Sequence, residues 1–109
     1  LMPLLLNEVS KKTISITNVV ELTSFNPIKR FKVKDKGLIK EGYDADFTFV
    51  DLSMTKKISN KLIKSKCGWT PFHGMKVTGW PVGTMINGNK VFWNEKIIGK
   101  PIGKPVKFN

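Results

Sequence analysis

One cysteine and one histidine, Cys67 and His73, share the stretch SKCGWTPFHG with Trp69 and Phe72 between them. Those residue types could make a metal site, a thiol–imidazole pair or a piece of packing. Zinc takes three or four ligands, and structural sites pair Cys or His at spacings such as C-x2-C. One Cys and one His cannot close that shell, and no carboxylate lies within the segment. A nucleophilic Cys–His pair needs an orienting third group and an oxyanion hole, and nothing in the segment supports either. Packing is the simpler reading. Cys67 is then a small buried apolar side chain, Trp69 and Phe72 are large anchors, and Thr70-Pro71 is a rigid turn. Cys67, Trp69, Pro71, Phe72 and His73 together form a packing or interface clasp.

A second pair with chemical potential is Asp44 and Asp46. On a strand, positions i and i+2 share a face, so two carboxylates there could serve acid–base or metal chemistry. Their setting between Gly42 and Phe47 favours turn chemistry, with Asp side chains bonding backbone N–H groups. The Gly-Lys-Pro tail lacks the strand–loop–helix context and the Lys-Ser/Thr ending of a phosphate loop. Trp80 and Trp93 beside lysines could stack single-stranded bases, but alternation along a hairpin makes them core or interface residues. No residue is assigned a catalytic, cofactor-binding or metal role.

The 109 residues suffice for one small domain. A formal charge of +11 raises the question of nucleic acid, yet of 19 basic residues only Arg30 is an arginine. Bidentate phosphate clamps and base-edge readout favour the guanidinium fork, so a small basic nucleic-acid-binding domain is the lesser reading. No apolar run approaches the ~20 residues of a membrane span. A single cysteine agrees with a reducing compartment, and the chain is expected in the cytoplasm.

Around these residues the chain changes character near position 33. Residues 1–9 are densely apolar and read as a helix or loop buried on both sides. Ser15 caps a helix over 16–24, with Val19, Val20 and Leu22 inward and Glu21 outward. Asn26-Pro27 stops it and starts a further helical turn ending near 31–33. From Gly37 onward, glycines recur and bound short β-branched and aromatic runs at 47–50, 75–77, 82–86, 90–93 and 96–98. Asn87-Gly88 is the type I′ turn of a hairpin, Asn94-Glu95 turns the chain again, and the tail is extended on the surface. The order, helices and then a small antiparallel sheet, makes the fold class α+β. So many strands want a second layer that one or two short helices do not provide.

The segments KGLIKEGYDADFTFVD and SKCGWTPFHGMKVTGWPVGTMINGNKVFW resemble the C-terminal β-domain of cyclic amidohydrolases, the second more specifically the dihydroorotase branch. LMPLLLNEV and ELTSFNPIKRF resemble the end of that family's TIM-type barrel. The resemblance spans nearly the whole chain. It divides residues 1–33, a remnant of the terminal barrel helices, from 34–109, most of one half of the β-sandwich. Two departures stand out: Asn26-Pro27-Ile28 where the family has Asn-Pro-Ala, and Phe31-Lys32-Val33 where it has Phe-Gly-Leu.

In the complete enzymes the resemblance implies zinc-dependent, reversible hydrolysis of dihydroorotate to N-carbamoyl-aspartate in pyrimidine biosynthesis, with aspartate carbamoyltransferase as a partner. The family's metal ligands and catalytic Asp would all precede Leu1. The chain therefore looks like the last quarter of such an enzyme, inactive alone, with no cofactor of its own. It is expected to pair with the missing N-terminal part or, through 1–9 and the hairpin, with its own copies. The tail of a hydantoinase-type enzyme and a non-catalytic homologue remain alternatives.

Overall fold

The computed structural model describes residues Leu1–Asn109. Helix α1 covers Met2–Ser10. Pro3 lies in its first turn, where a missing N–H costs nothing. Helix α2 is Ile16–Val20. Its cap is reciprocal: the Ser15 hydroxyl accepts from the Asn18 N–H at 3.1 Å, and the Asn18 Oδ1 accepts from the Ser15 N–H at 3.0 Å. The chain does not break at Asn26-Pro27. A π-helical turn, Glu21–Phe25, runs straight into α3, Asn26–Phe31. Proline in a continuous helix leaves the carbonyl four residues earlier unbonded and crowds it, and a widened turn relieves both. Only Val19 is buried on this face; Val20 and Leu22 are exposed, contrary to the sequence expectation. At Lys32 the helix exits in the left-handed conformation, φ 52°, so the turn that glycine would favour is kept without glycine.

Four strands follow in the order β1-β2-β3-β4, all antiparallel: β1 Phe47–Lys57, β2 Lys76–Ile86, β3 Asn89–Trp93 and β4 Lys96–Ile97. Strand β1 runs well past the expected 47–50 because a bulge carries it on. The Asp51 Oδ1 accepts from the Ser53 and Met54 N–H groups at 2.9 and 3.1 Å, holding the irregular stretch between its two paired halves. The two runs expected at 75–77 and 82–86 are one strand. Gly79, at φ 99°, and Pro81 sit inside β2 next to irregularities in the β1 register, the places where a sheet tolerates such residues. Asn87 and Gly88 have φ of 48° and 75°, and Asn94 and Glu95 of 46° and 67°, so both tight turns take the primed geometry that matches strand twist.

The core gathers where α1 crosses β2. A Cβ placed on Gly79 would come within 2.5 Å of the Leu6 Cβ, so glycine lets the helix lie against the strand. Leu6 and Val77 are almost fully buried, with Ile58 and Trp80 beside them. Burying a side chain such as Leu6 contributes about 1.5–3 kcal/mol. Asn7, the one buried polar residue, accepts from the Thr78 N–H at 3.0 Å through its Oδ1. Only 8 of 109 residues are buried, against eighteen large hydrophobics left exposed. Those numbers fit a partial domain. No helix is long and apolar enough to cross a membrane.

The tail is a strap. Ile98 N–H donates to Val91 at 2.9 Å, and at the far end Lys34 N–H donates to Lys107 and Asn109 N–H to Lys32. A single bridge pairs Val33 with Phe108. Between these anchors, residues 99–106 lie outside any ladder, with bends at Gly99 and Lys100.

Candidate functional site

The loop holding Cys67 and His73 leaves β1 and returns into β2. Its neck is closed by Gly74 N–H to Ile58 and Ile58 N–H to Met75, both 2.8 Å. Asn60 fastens the interior. Its N–H donates to the His73 Nδ1 at 3.0 Å, and its Oδ1 accepts from the Thr70 N–H at 3.0 Å. Since Nδ1 accepts, any proton on neutral His73 sits on Nε2. The histidine is an internal brace for Asn60.

Cys67 turns elsewhere. Its Sγ lies 3.0 Å from the Ser65 Oγ and 3.6 Å from the Trp69 carbonyl oxygen, and it makes no hydrogen bond to His73. The side chain is exposed, whereas sequence reasoning expected it buried. The Ser65 hydroxyl is the main cause holding its thiol below the ordinary cysteine range. Pro71, Phe72 and His73 are also exposed, and Trp69 is 61% exposed. Within this chain none of the five is buried.

Asp44 and Asp46 converge on Lys36, whose Nζ is 2.8 Å from the Asp44 Oδ2 and 2.5 Å from the Asp46 Oδ2. The other oxygen of Asp46 accepts from the Asn87 N–H at 2.9 Å. Asp46 thus ties the loop after α3 to the β2–β3 turn. Burial raises its pKa, but Lys36 and the Asn87 N–H together outweigh that and leave the carboxyl below its usual value. The hydrogen bond to Asp44, and then that to Asp46, raises the Lys36 ammonium above the lysine range. A carboxylate pair that shares one lysine and is committed to a backbone N–H is a staple. Sequence reasoning expected both side chains to bond local backbone N–H groups; instead both meet Lys36 and Asp46 reaches Asn87 across 41 positions, and neither contact leaves a local pattern.

No group of three or more His, Cys, Asp or Glu side chains comes together in the chain. With Nδ1 of His73 engaged and both aspartates facing Lys36, the residues present do not fit a zinc ion. No chemical step through a metal is derived from them.

What the geometry offers is an antiparallel sheet with one helix seated on β2, an uncovered apolar surface and tied-off polar groups. Residues 1–91 match the amidohydrolase family, and the chain belongs to it. At the level of individual relatives, it is 42% identical over 104 residues to a dihydroorotase of Pyrococcus furiosus, covering 95% of this chain and 25% of the relative. A dihydroorotase of Methanothermobacter thermautotrophicus is 38% identical over 95 residues, again with 22% of its length covered. Among solved structures, the L-hydantoinase (dihydropyrimidinase) from Arthrobacter aurescens superposes with a TM-score of 0.86 at 33% identity, over 91% of this chain and 22% of that one. The dihydropyrimidinase from Brevibacillus agri gives 0.83 at 31%, over 90% and 22%. The chain thus spans about a quarter of the length of the curated relatives it matches.

Proposed function

We propose that this chain is the β-domain portion of a dihydroorotase-type cyclic amidohydrolase and contributes packing surface rather than reacting groups. In that reading residues 1–33 belong with the barrel and 34–109 with the sandwich. The whole protein would hydrolyse dihydroorotate, with zinc bound by residues outside this chain. The observation that carries the structural role is the imbalance between eight buried residues and eighteen exposed large hydrophobics in a chain of this family. Apolar surface on that scale marks a contact face. Strand β1 adds an 11-residue edge paired on one side only, and such edges recruit a further strand. The exposed Trp69 and Phe72 fit the same use. Alone, the chain would meet this need by self-association.

The test is complementation. The chain is mixed with a Pyrococcus furiosus dihydroorotase lacking its matching quarter, and zinc-supported hydrolysis of dihydroorotate is followed. Activity from the mixture, with none from either part, is the expected result. Turnover by the isolated chain with zinc would overturn the packing role. A chain that stays monomeric across micromolar concentrations in sedimentation, without rescuing the truncated enzyme, would overturn the contact face. The likeness to hydantoinase structures favours a second reading, a hydantoin-type ring as substrate. Parallel assays of a chimera with hydantoin and dihydroorotate separate the two.

A further inference from the structure

The strap formed by the tail walls two adjoining clefts. One, about 400 Å³, lies between the β2–β3 hairpin and the start of the strap. Its charged lining is Lys90, Lys100 and Lys104, with the amides of Asn87 and Asn89 and no carboxylate. The other, about 660 Å³, continues past Asn87 and Lys104, which line both, to Lys34 and Lys107. Lys36, Asp44 and Asp46 also face this second cleft, where Lys36 offsets one of the two carboxylates. Asp35 and the one carboxylate charge left over then face five lysines, none of which forms an ion pair.

From this we infer that the strap groove binds a short run of linked phosphate groups. A concave site with lysines along both walls focuses positive potential more than the same charges on a convex surface. Lysine binds phosphate as a point charge without demanding the geometry of a guanidinium fork. The near absence of arginine, which argues against reading bases, therefore does not argue against holding a phosphate chain. The succession of lysines along two joined clefts selects an elongated anion over a single one. The strap is fastened at both ends, by Ile98 to β3 and by residues 107–109 to 32–34, so the walls are held in place before the ligand arrives. Asn87 lies at the junction, its N–H already held by Asp46, which fixes the hairpin tip between the two clefts.

Titration calorimetry on the full 109-residue chain tests this, with orthophosphate, tripolyphosphate and a twelve-residue oligothymidylate as probes. Tripolyphosphate should bind and orthophosphate should bind at least tenfold more weakly. The exposed pair Lys100→Gln with Lys104→Gln should lose about tenfold for tripolyphosphate, as two charge-assisted contacts vanish. The distant pair Lys11→Gln with Lys12→Gln should change binding less than twofold. Binding of the oligonucleotide with the same loss in the cleft variant would identify a phosphodiester chain as the natural source. Its failure to compete with tripolyphosphate would point to a free polyphosphate. Equal losses from the two lysine pairs, or no preference for tripolyphosphate over orthophosphate, would overturn the inference, because binding would then follow net charge alone. Failure of tripolyphosphate to bind at low salt would overturn it outright.

Discussion

The crossing of α1 over β2 and the loop from 59 to 75 adjoin the same strand but are built in opposite ways. The crossing is built from Leu6, Asn7, Val77, Gly79 and Trp80, of which only Trp80 invites a chemical reading. It nevertheless holds five of the eight buried residues in the chain. The loop holds the cysteine, the histidine and two large aromatics, and nearly all of its side chains face solvent. Its order comes from hydrogen bonds centred on Asn60. Residue types that could react are therefore a poor guide here to where free energy resides. Close approach of backbone to backbone, which needs a glycine, is a better one.

Substitutions in the crossing should show the largest effects. Gly79→Val would bring side-chain atoms into the Leu6 Cβ and require a branched residue at φ 99°. Strain and overpacking of that kind cost about 3 kcal/mol or more, enough to leave the chain largely unfolded by circular dichroism at 25 °C. A cooperative urea transition at the parental midpoint would refute the close contact. Leu6→Ala should lower stability by about 2–4 kcal/mol, read as a shift of the urea midpoint.

The Asp46 staple comes next. Its folded-state pKa is depressed, so its contribution is present above the unfolded-state value and is lost as pH falls through the folded one. Urea midpoints of the parent and Asp46→Asn should differ near pH 6 and converge near pH 2. The difference should stay below about 1 kcal/mol, because Asp46 remains a third exposed and solvent screens the pair. Lys36 adds the opposite limb: its raised pKa stabilises the fold below the unfolded lysine value and the benefit disappears as pH rises through the folded one.

Within the loop, Asn60→Ala should cost about 1 kcal/mol. Its clearer sign would be faster tryptic cleavage at Lys61, Lys64 and Lys66, with the sheet's hydrogen-exchange protection intact. Cys67→Ser should leave the urea midpoint unmoved. In the parent, iodoacetamide should alkylate Cys67 in the native state at a pH below that needed for an ordinary cysteine, and Ser65→Ala should slow the reaction.

The parts of the fold that were legible in the sequence are those set by neighbours. Ser15 announces its helix because Asn18 completes the cap three residues on. Asn87-Gly88 announces its hairpin because both residues tolerate positive φ. The division of β2 into two runs went wrong because Gly79 and Pro81 usually end strands, and only contact with α1, some seventy residues away, shows why they do not. The helix break placed at Asn26-Pro27 failed for a related reason, since a π turn absorbs the proline. The bracing role of His73, read from sequence as part of a packing clasp, depends on Asn60 thirteen positions away, and the residues between carry no periodic signal.

The two primed turns, at Asn87-Gly88 and Asn94-Glu95, bear on the order in which the molecule assembles. Strands β2, β3 and β4 meet through connections of two residues, and such hairpins close in about 1–10 μs. Strand β1 must find β2 across a much longer stretch of chain, with Phe47 opposite Met85, and closing a longer loop costs more entropy before any contact repays it. The three-stranded ribbon is thus expected early and β1 late. During that interval the inner edge of β2 is open, and the ribbon's first encounter is a contest between its own β1 and a strand from elsewhere.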